Sequence, residues 1–254
     1  MQYFYKIRYS LISLMFLTSC NQNPNNDIKD SSNSSRNQIK DSVELSKNDQ
    51  PYQSPISKEK TKEESNKVSN DDFVLDEENA IAFFFEYNKT LKETKVKLET
   101  NFGDITIELF DNVPYHKANF IYLTKKGYFN NTYFHRIVKG FIIQGGNADI
   151  PEVSQKRRAI GRYLLPPDTR KGHKHHRGVV SMPSSDIDNP HKLASPYEFF
   201  IVVTKPGSYH LDGGYTPFGQ VIEGMDVVDQ INAQKVDSGD WPMRNIVIKK
   251  AIAF

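Results

Sequence analysis

FHRIVKGFIIQGG, Phe134 to Gly146, is a run of β-branched and aromatic residues with polar side chains set inside it rather than at its ends. It reads as a strand, with Phe134 and Arg136 on one face and Ile142 and Gln144 sharing a face after Gly140, where a bulge or bend resets the alternation. Such a strand sets an arginine beside apolar walls. Two readings of Arg136 stand at this point, a solvated outer-face arginine with a packed stem and a functional cation. The paired Gly145 and Gly146 add that another backbone, or a ligand, comes close to this stretch.

Working outward, KVKLET, a turn around Asn101-Phe102-Gly103 and DITIELF form a hairpin with Ile105, Ile107 and Leu109 on one face. Pro114 to Gly127 reads as a helix, with proline in its first turn and glycine as its stop. Residues 147–177 carry charge, proline and histidine without clear periodicity and read as long loops. GVVSM, EFFIVVT and FGQVI have strand composition, GMDVVDQIN reads as a short helix, and NIVIKKAIAF closes as a strand. Upstream, DEENAIAFFFEYNKTLKE is a helix whose Ala80, Ile81, Phe84, Phe85 and Leu91 make an apolar face, for docking on the following domain or on a partner.

The ends of the chain differ in kind. Residues 1–20, MQYFYKIRYSLISLMFLTSC, place Lys6 and Arg8 before a short apolar stretch, which is signal-peptide grammar and too short to span a bilayer alone. Leu17-Thr18-Ser19-Cys20 resembles a bacterial lipobox, in which Cys20 becomes the lipid-modified first residue of the mature chain. An ordinary signal peptide or an uncleaved anchor is the alternative. Residues 21–72 are polar and charged, too poor in large apolar groups to offset the entropy of ordering. This stretch reads as a flexible tether with an average reach on the order of 40 Å, from roughly 5 to 6 Å times the square root of the residue number. The expected division is therefore 1–20 lipoprotein signal peptide, 21–72 tether, 73–93 helical lead-in and 94–254 folded domain.

Composition narrows the function classes. A formal net charge of +2 and the absence of long basic runs speak against nucleic acid as a partner. One cysteine rules out an internal disulfide and zinc sites built from several thiolates. The chain shows no GxSxG, HExxH, phosphate-loop or dinucleotide glycine pattern. His173, His175 and His176 form an HxHH cluster with a metal-site reading, but loop histidines without carboxylate or cysteine support at recognised spacing favour no metal. Asp186, Asp188 and Asn189 lack the glycine and the twelfth-position glutamate of a calcium loop.

What survives is an apolar pocket with one cation: Arg136 and Gln144, with Phe141 and Ile142 beside them and Phe200, Leu211 and Tyr215 further along. FHRIVKGFIIQGG, VSMPSSD, EFFIV and HLDGGYTPFGQVIEGMDVVDQI resemble, in this order and spacing, a cyclophilin-type peptidyl-prolyl isomerase, most like lipid-anchored members of bacterial envelopes. The resemblance runs from about Lys95 to Phe254. It implies a mainly β fold, a closed eight-stranded antiparallel β-barrel capped by two α-helices, here preceded by a helix and a disordered tether. It implies Arg136 as catalytic arginine oriented by Gln144, a substrate site of Phe141, Ile142, Ser184, Glu198, Phe200, Leu211 and Tyr215, and no cofactor. Proline-containing polypeptides are the implied partners, and a lipid on Cys20 places the domain outside the cytoplasm, with Asn21 after the cysteine pointing to the periplasmic side of the outer membrane. Nothing in the residues sets an oligomeric state.

The sequence departs from the family pattern at four places. Glu198 stands where many members have glutamine, and a carboxylate there is expected to pair with Arg136, fixing it or competing with substrate. That competition, together with the altered stretch around Ser184, motivates an alternative reading, a non-catalytic tethered module that binds proline-containing chains. Tyr215 replaces a frequent histidine, and Pro183-Ser184-Ser185 replaces Ala-Asn-Ala. His210 occupies the position where cyclosporin-sensitive members carry tryptophan, so weak cyclosporin binding is expected.

Overall fold

The computed structural model describes residues 73–184 and 189–254. The expected signal segment, Cys20, the expected tether and the Asp186 and Asp188 reading lie outside the described residues. In chain order the elements are α1 (Ala80–Thr90), β1 (Lys95–Thr100), β2 (Asp104–Leu109), α2 (Pro114–Lys125), β3 (Thr132–Val138), β4 (Ile142–Asn147) and α3 (Pro151–Ile160). There follow β5 (Val179–Met182), β6 (Phe199–Val202), a short 3-10 turn (Tyr209–Leu211), β7 (Thr216–Glu223), α4 (Met225–Asn232) and β8 (Val247–Ala253).

The eight strands close into one antiparallel barrel in the order β1-β2-β7-β5-β6-β4-β3-β8, with β8 back against β1. Closure removes the unpaired strand edges that an open sheet of this size would present. Inside, Phe120 of α2 meets Phe129, Phe199 and Phe218 at centroid separations of 4.9, 5.4 and 5.1 Å, and Phe134 meets Phe199 at 5.8 Å. Helix α2 packs against β7 and β8, and α4 packs against β2, β3 and β4.

The opening stretch is two strands and not one. Gly140 takes φ 67° in the turn between β3 and β4, where Phe141 N–H donates to Val138 O at 3.0 Å. Asn232 of α4 pins that turn, accepting from Gly140 N–H at 2.9 Å and donating to Val138 O at 3.0 Å. The bulge expected at Gly140 sits instead at His135: Phe134 pairs with Gly145 and Arg136 with Gln144, leaving His135 as the extra residue. Phe134 and Arg136 therefore do not share a face; Phe134 is buried in the barrel and Arg136 is partly exposed.

The glycine pair answers to close packing. A Cβ on Gly146, at φ 100°, would stand 2.5 Å from Tyr197 O, and one on Gly145 would stand 2.9 Å from the Phe134 ring.

Residues 147–177 are not all loop. Helix α3 begins with Pro151, buries Val153 and Ile160, and ends at Gly161. Its Lys156 ammonium donates to the carbonyls of Gly127 and Asn130 at 3.0 and 2.8 Å, tying the helix to the loop after α2. Leu75 runs beside its end, donating to Ile160 O at 2.8 Å and accepting from Arg162 N–H at 2.9 Å. Helix α1 lies on α2, with Phe84 fully buried and edge-on to Tyr122 at 5.8 Å. Phe85, expected on the packed face, is 49% exposed and points outward, while Phe83 takes the contact with Tyr122 at 5.1 Å.

Candidate active site

Eight of the nine residues read as catalytic or substrate-binding meet around one hollow of about 180 Å³ on the barrel's flank: Arg136, Phe141, Ile142, Gln144, Ser184, Phe200, Leu211 and Tyr215. Pro183 completes the lining. The apolar part is a small cluster of its own, Ile142, Phe200 and Val202, with Val138, Phe141, Leu211 and Tyr215 packed on it. The geometry of β4 and β6 brings it together, since Ile142 pairs with Val202 and Gln144 with Phe200. Tyr215 stands edge-on to Phe200 at 5.7 Å, and His210 stacks on Phe141 at 5.4 Å.

His175 braces the back of this wall. Its ring is fully buried and stacked on Phe200 at 6.1 Å; Nδ1 lies 2.7 Å from Asp212 Oδ1 and Nε2 lies 3.2 Å from Ser181 Oγ. Burial holds its pKa below the usual value, although Asp212 works the other way. The other two rings of the HxHH stretch are engaged separately, His173 with Asn112 at 2.7 Å and His176 with Tyr209 at 2.9 Å.

Arg136 reaches Asp240, with Nη2 3.3 Å from Oδ2 and both side chains more than a third exposed. Asp240 is presented by a tight turn in which Asp237 accepts from Gly239 and Trp241 N–H, and whose Asp240 carbonyl accepts from Ile137 N–H at 2.9 Å. No motif marks Asp240 in the sequence; only the return of the chain from α4 to β8 brings it beside β3.

Glu198 corrects an expectation. It does not line the hollow and does not pair with Arg136 among the described residues. Its carboxylate accepts from Gln144 Nε2 at 2.8 Å and Asn147 Nδ2 at 3.2 Å, and lies 3.5 Å from His135 Nε2 and 3.6 Å from Arg157 Nη2. Burial works against its charge, yet His135, Gln144 and Arg157 together hold its pKa below the usual carboxylate value. Arg157 is a residue that sequence reasoning passed over, because its helix was read as loop. Ser184 bridges to Ala194, and its hydroxyl accepts from Asn189 Nδ2 at 3.0 Å.

A closed barrel that carries a half-exposed cation over an apolar hollow on its flank is a scaffold for holding a compact apolar group next to a positive charge. Residues 95–253 match the family model for cyclophilin type peptidyl-prolyl cis-trans isomerase/CLD. Peptidyl-prolyl cis-trans isomerase-like 3 of Dictyostelium discoideum is 37% identical over 156 residues, which cover 61% of this chain and 91% of that protein. Peptidyl-prolyl cis-trans isomerase B of Escherichia coli is 34% identical over 165 residues, 61% of this chain and 96% of that one. Against the longer isomerase-like 2 of Rhizopus delemar, 38% identical, the match spans 31% of the relative. Among solved structures, a cyclophilin type isomerase of Cryptosporidium parvum superposes with a TM-score of 0.54 at 30% identity, covering 64% of this chain and 98% of that one. The chain belongs to the cyclophilin-type peptidyl-prolyl cis-trans isomerase family and is an enzyme of that kind.

Proposed function

We propose that Arg136 speeds X-Pro isomerisation by stabilising the twisted amide while the hollow holds the proline ring. The observation that carries this is the meeting of Arg136 and Gln144 with Phe141, Ile142, Phe200, Leu211 and Tyr215 around one cavity. A structure of the Cryptosporidium parvum relative was solved in the presence of the dipeptide Ala-Pro, which supports a proline-containing ligand for this hollow.

The chemistry needs no broken bond. Rotation about a peptide bond faces a barrier of ~18 to 20 kcal/mol because amide resonance is lost at the twisted state. The proline nitrogen then becomes pyramidal and regains a lone pair, which a guanidinium stabilises more than it stabilises the planar amide. Gln144 orients this cation, and Phe141, Ile142, Phe200 and Leu211 fix the ring while the preceding carbonyl swings. An acceleration of ~10⁵ requires about 7 kcal/mol at ~1.4 kcal/mol per decade, within reach of positioning plus electrostatics. The Arg136–Asp240 pair is exposed, and such pairs are worth about 0 to 1 kcal/mol, so Asp240 does not withhold the cation from substrate.

The binding-module reading rested on Glu198 competing for Arg136. With that carboxylate engaged by four other side chains, the Glu198 part of that reading loses its ground, and the altered Pro183-Ser184-Ser185 stretch is the observation left behind it. Cys20 and the polar stretch after it support a lipid-anchored enzyme outside the cytoplasm, acting on exported or envelope polypeptides. Exchange spectroscopy on a proline peptide tests the mechanism. Arg136→Ala is expected to lower kcat/KM by about a hundredfold or more while the fold persists; an unchanged rate would sink the arginine mechanism.

A further inference from the structure

The Glu198 side chain is 18% exposed, against 43% and 38% for the Arg136–Asp240 pair, so it is an interior charge rather than a surface one. An interior carboxylate needs compensation. Arg157 supplies a permanent positive charge from α3, and its own position is set by Nε donating to the Tyr128 hydroxyl at 2.9 Å and by its guanidinium lying 5.2 Å from the Tyr197 ring and 5.9 Å from the Tyr128 ring. His135, the bulge residue of β3, closes the other side at 3.5 Å.

An ionised carboxylate only accepts hydrogen bonds. At 2.8 Å from Glu198 Oε2, the Gln144 side chain must therefore turn its NH₂ to the carboxylate, which leaves Oε1 for the hollow that Gln144 and Arg136 both line. A glutamine at position 198 would impose no such choice, because either end of one amide can meet the other. Arg136 is paired with Gln144 across the β3–β4 ladder and carries donors only, so an acceptor presented there is the complementary group.

We propose that Glu198, compensated by Arg157 of α3 and by His135, is a positioning residue that locks the Gln144 amide with its oxygen toward Arg136 and the substrate. The inference rests on the proposed roles of Arg136 and Gln144. It couples α3 to the reacting side through the series Arg157, Glu198, Gln144. Asn147 fits the same scheme: its oxygen accepts from Ala148 N–H at 2.9 Å, so its NH₂ is the end that meets Glu198.

The test uses the side-chain amide signals of Gln144 in the ¹⁵N-labelled protein together with exchange rates on a proline peptide. Glu198→Gln is nearly isosteric and is expected to move the Gln144 amide resonances by removing their charged acceptor. Arg157→Met is expected to lower kcat, with KM little changed, by about tenfold to a hundredfold in the presence of Glu198. In the Glu198→Gln background the same substitution should add no further loss, since no buried carboxylate is left uncompensated. Unmoved Gln144 resonances in Glu198→Gln overturn the lock, and an equal loss from Arg157→Met in both backgrounds reduces Arg157 to a packing role and overturns the coupling. If Arg136→Ala keeps the native rate while the amide signal still answers to Glu198, the lock stands and the arginine mechanism is what falls.

Discussion

His116 on α2 is fully buried with neither ring nitrogen hydrogen-bonded, and burial pushes its pKa down from 6.5 to about 3. The folded chain keeps this ring neutral, whereas the unfolded chain takes up a proton below its ordinary pKa. Stability is therefore lost as pH falls from about 6.5 toward 3, by about 1.4 kcal/mol per pH unit, and His116 contributes no pH dependence above that range. Denaturant titrations from neutral to acid pH are expected to show His116→Leu gaining on the native chain at that slope; parallel curves would refute it. His210, stacked on Phe141 at the edge of the hollow, carries a second prediction at this scale. The purified enzyme should be inhibited by cyclosporin only weakly, and His210→Trp should strengthen inhibition; submicromolar inhibition of the native enzyme would count against it. Arg136, Gln144 and the apolar wall were legible because each residue type has few uses at its position. The charged partners of Glu198 and Arg136 were not, since Arg157 stands 41 residues before Glu198 and Asp240 stands 104 residues after Arg136.

Strand β1 followed from its alternation, one face being buried, whereas β5 and β6, buried at every residue, followed from their β-branched and aromatic composition. Helix α3 did not, since eight of its ten residues are not buried and its two buried residues, Val153 and Ile160, stand two turns apart among charges. Tertiary contacts hold it: Leu75 at its end and the Lys156 ammonium on the loop after α2. The turn at Gly140 was read as a bend within one strand for a related reason, as the strands on both sides share the same apolar composition. Helix α1 precedes the matched family segment but shares its core, with Phe84 between Tyr122 and Tyr163. Phe84→Ala is expected to cost about 3 to 5 kcal/mol in chemical denaturation. Isomerase activity well below the melting temperature should remain, because α1 packs on α2 and not on the hollow. A loss under 1 kcal/mol would show that α1 is not integral to the fold.

For the whole molecule, the barrel closes on itself with β8 against β1, and the proposed lipid anchor at Cys20 carries a prediction of its own. Expressed in a bacterium that processes lipoproteins, the full chain is expected to enter the detergent phase on partition and to incorporate labelled palmitate. Cys20→Ser should abolish both without changing the exchange rate of the purified domain; palmitate labelling that survives the substitution would remove the anchor. The strand-order reversal that closes the barrel could not be read locally, because pairing of β2 with β7 joins segments more than a hundred residues apart.

The bulge on β3 bears on how this enzyme can tolerate a change in chain length. His135 is the extra residue between the Phe134–Gly145 and Arg136–Gln144 pairs, and burial alternates regularly on both sides of the His135-Arg136 step. Deleting His135 would leave Phe134 inward, Arg136 outward and Ile137 inward, with the second register shift of this ladder, between Tyr133 and Phe134, untouched. The position is a slot where one residue can be present or absent without turning the strand over. The arginine would stay over its hollow, and Glu198 would lose one of the two groups that offset its charge.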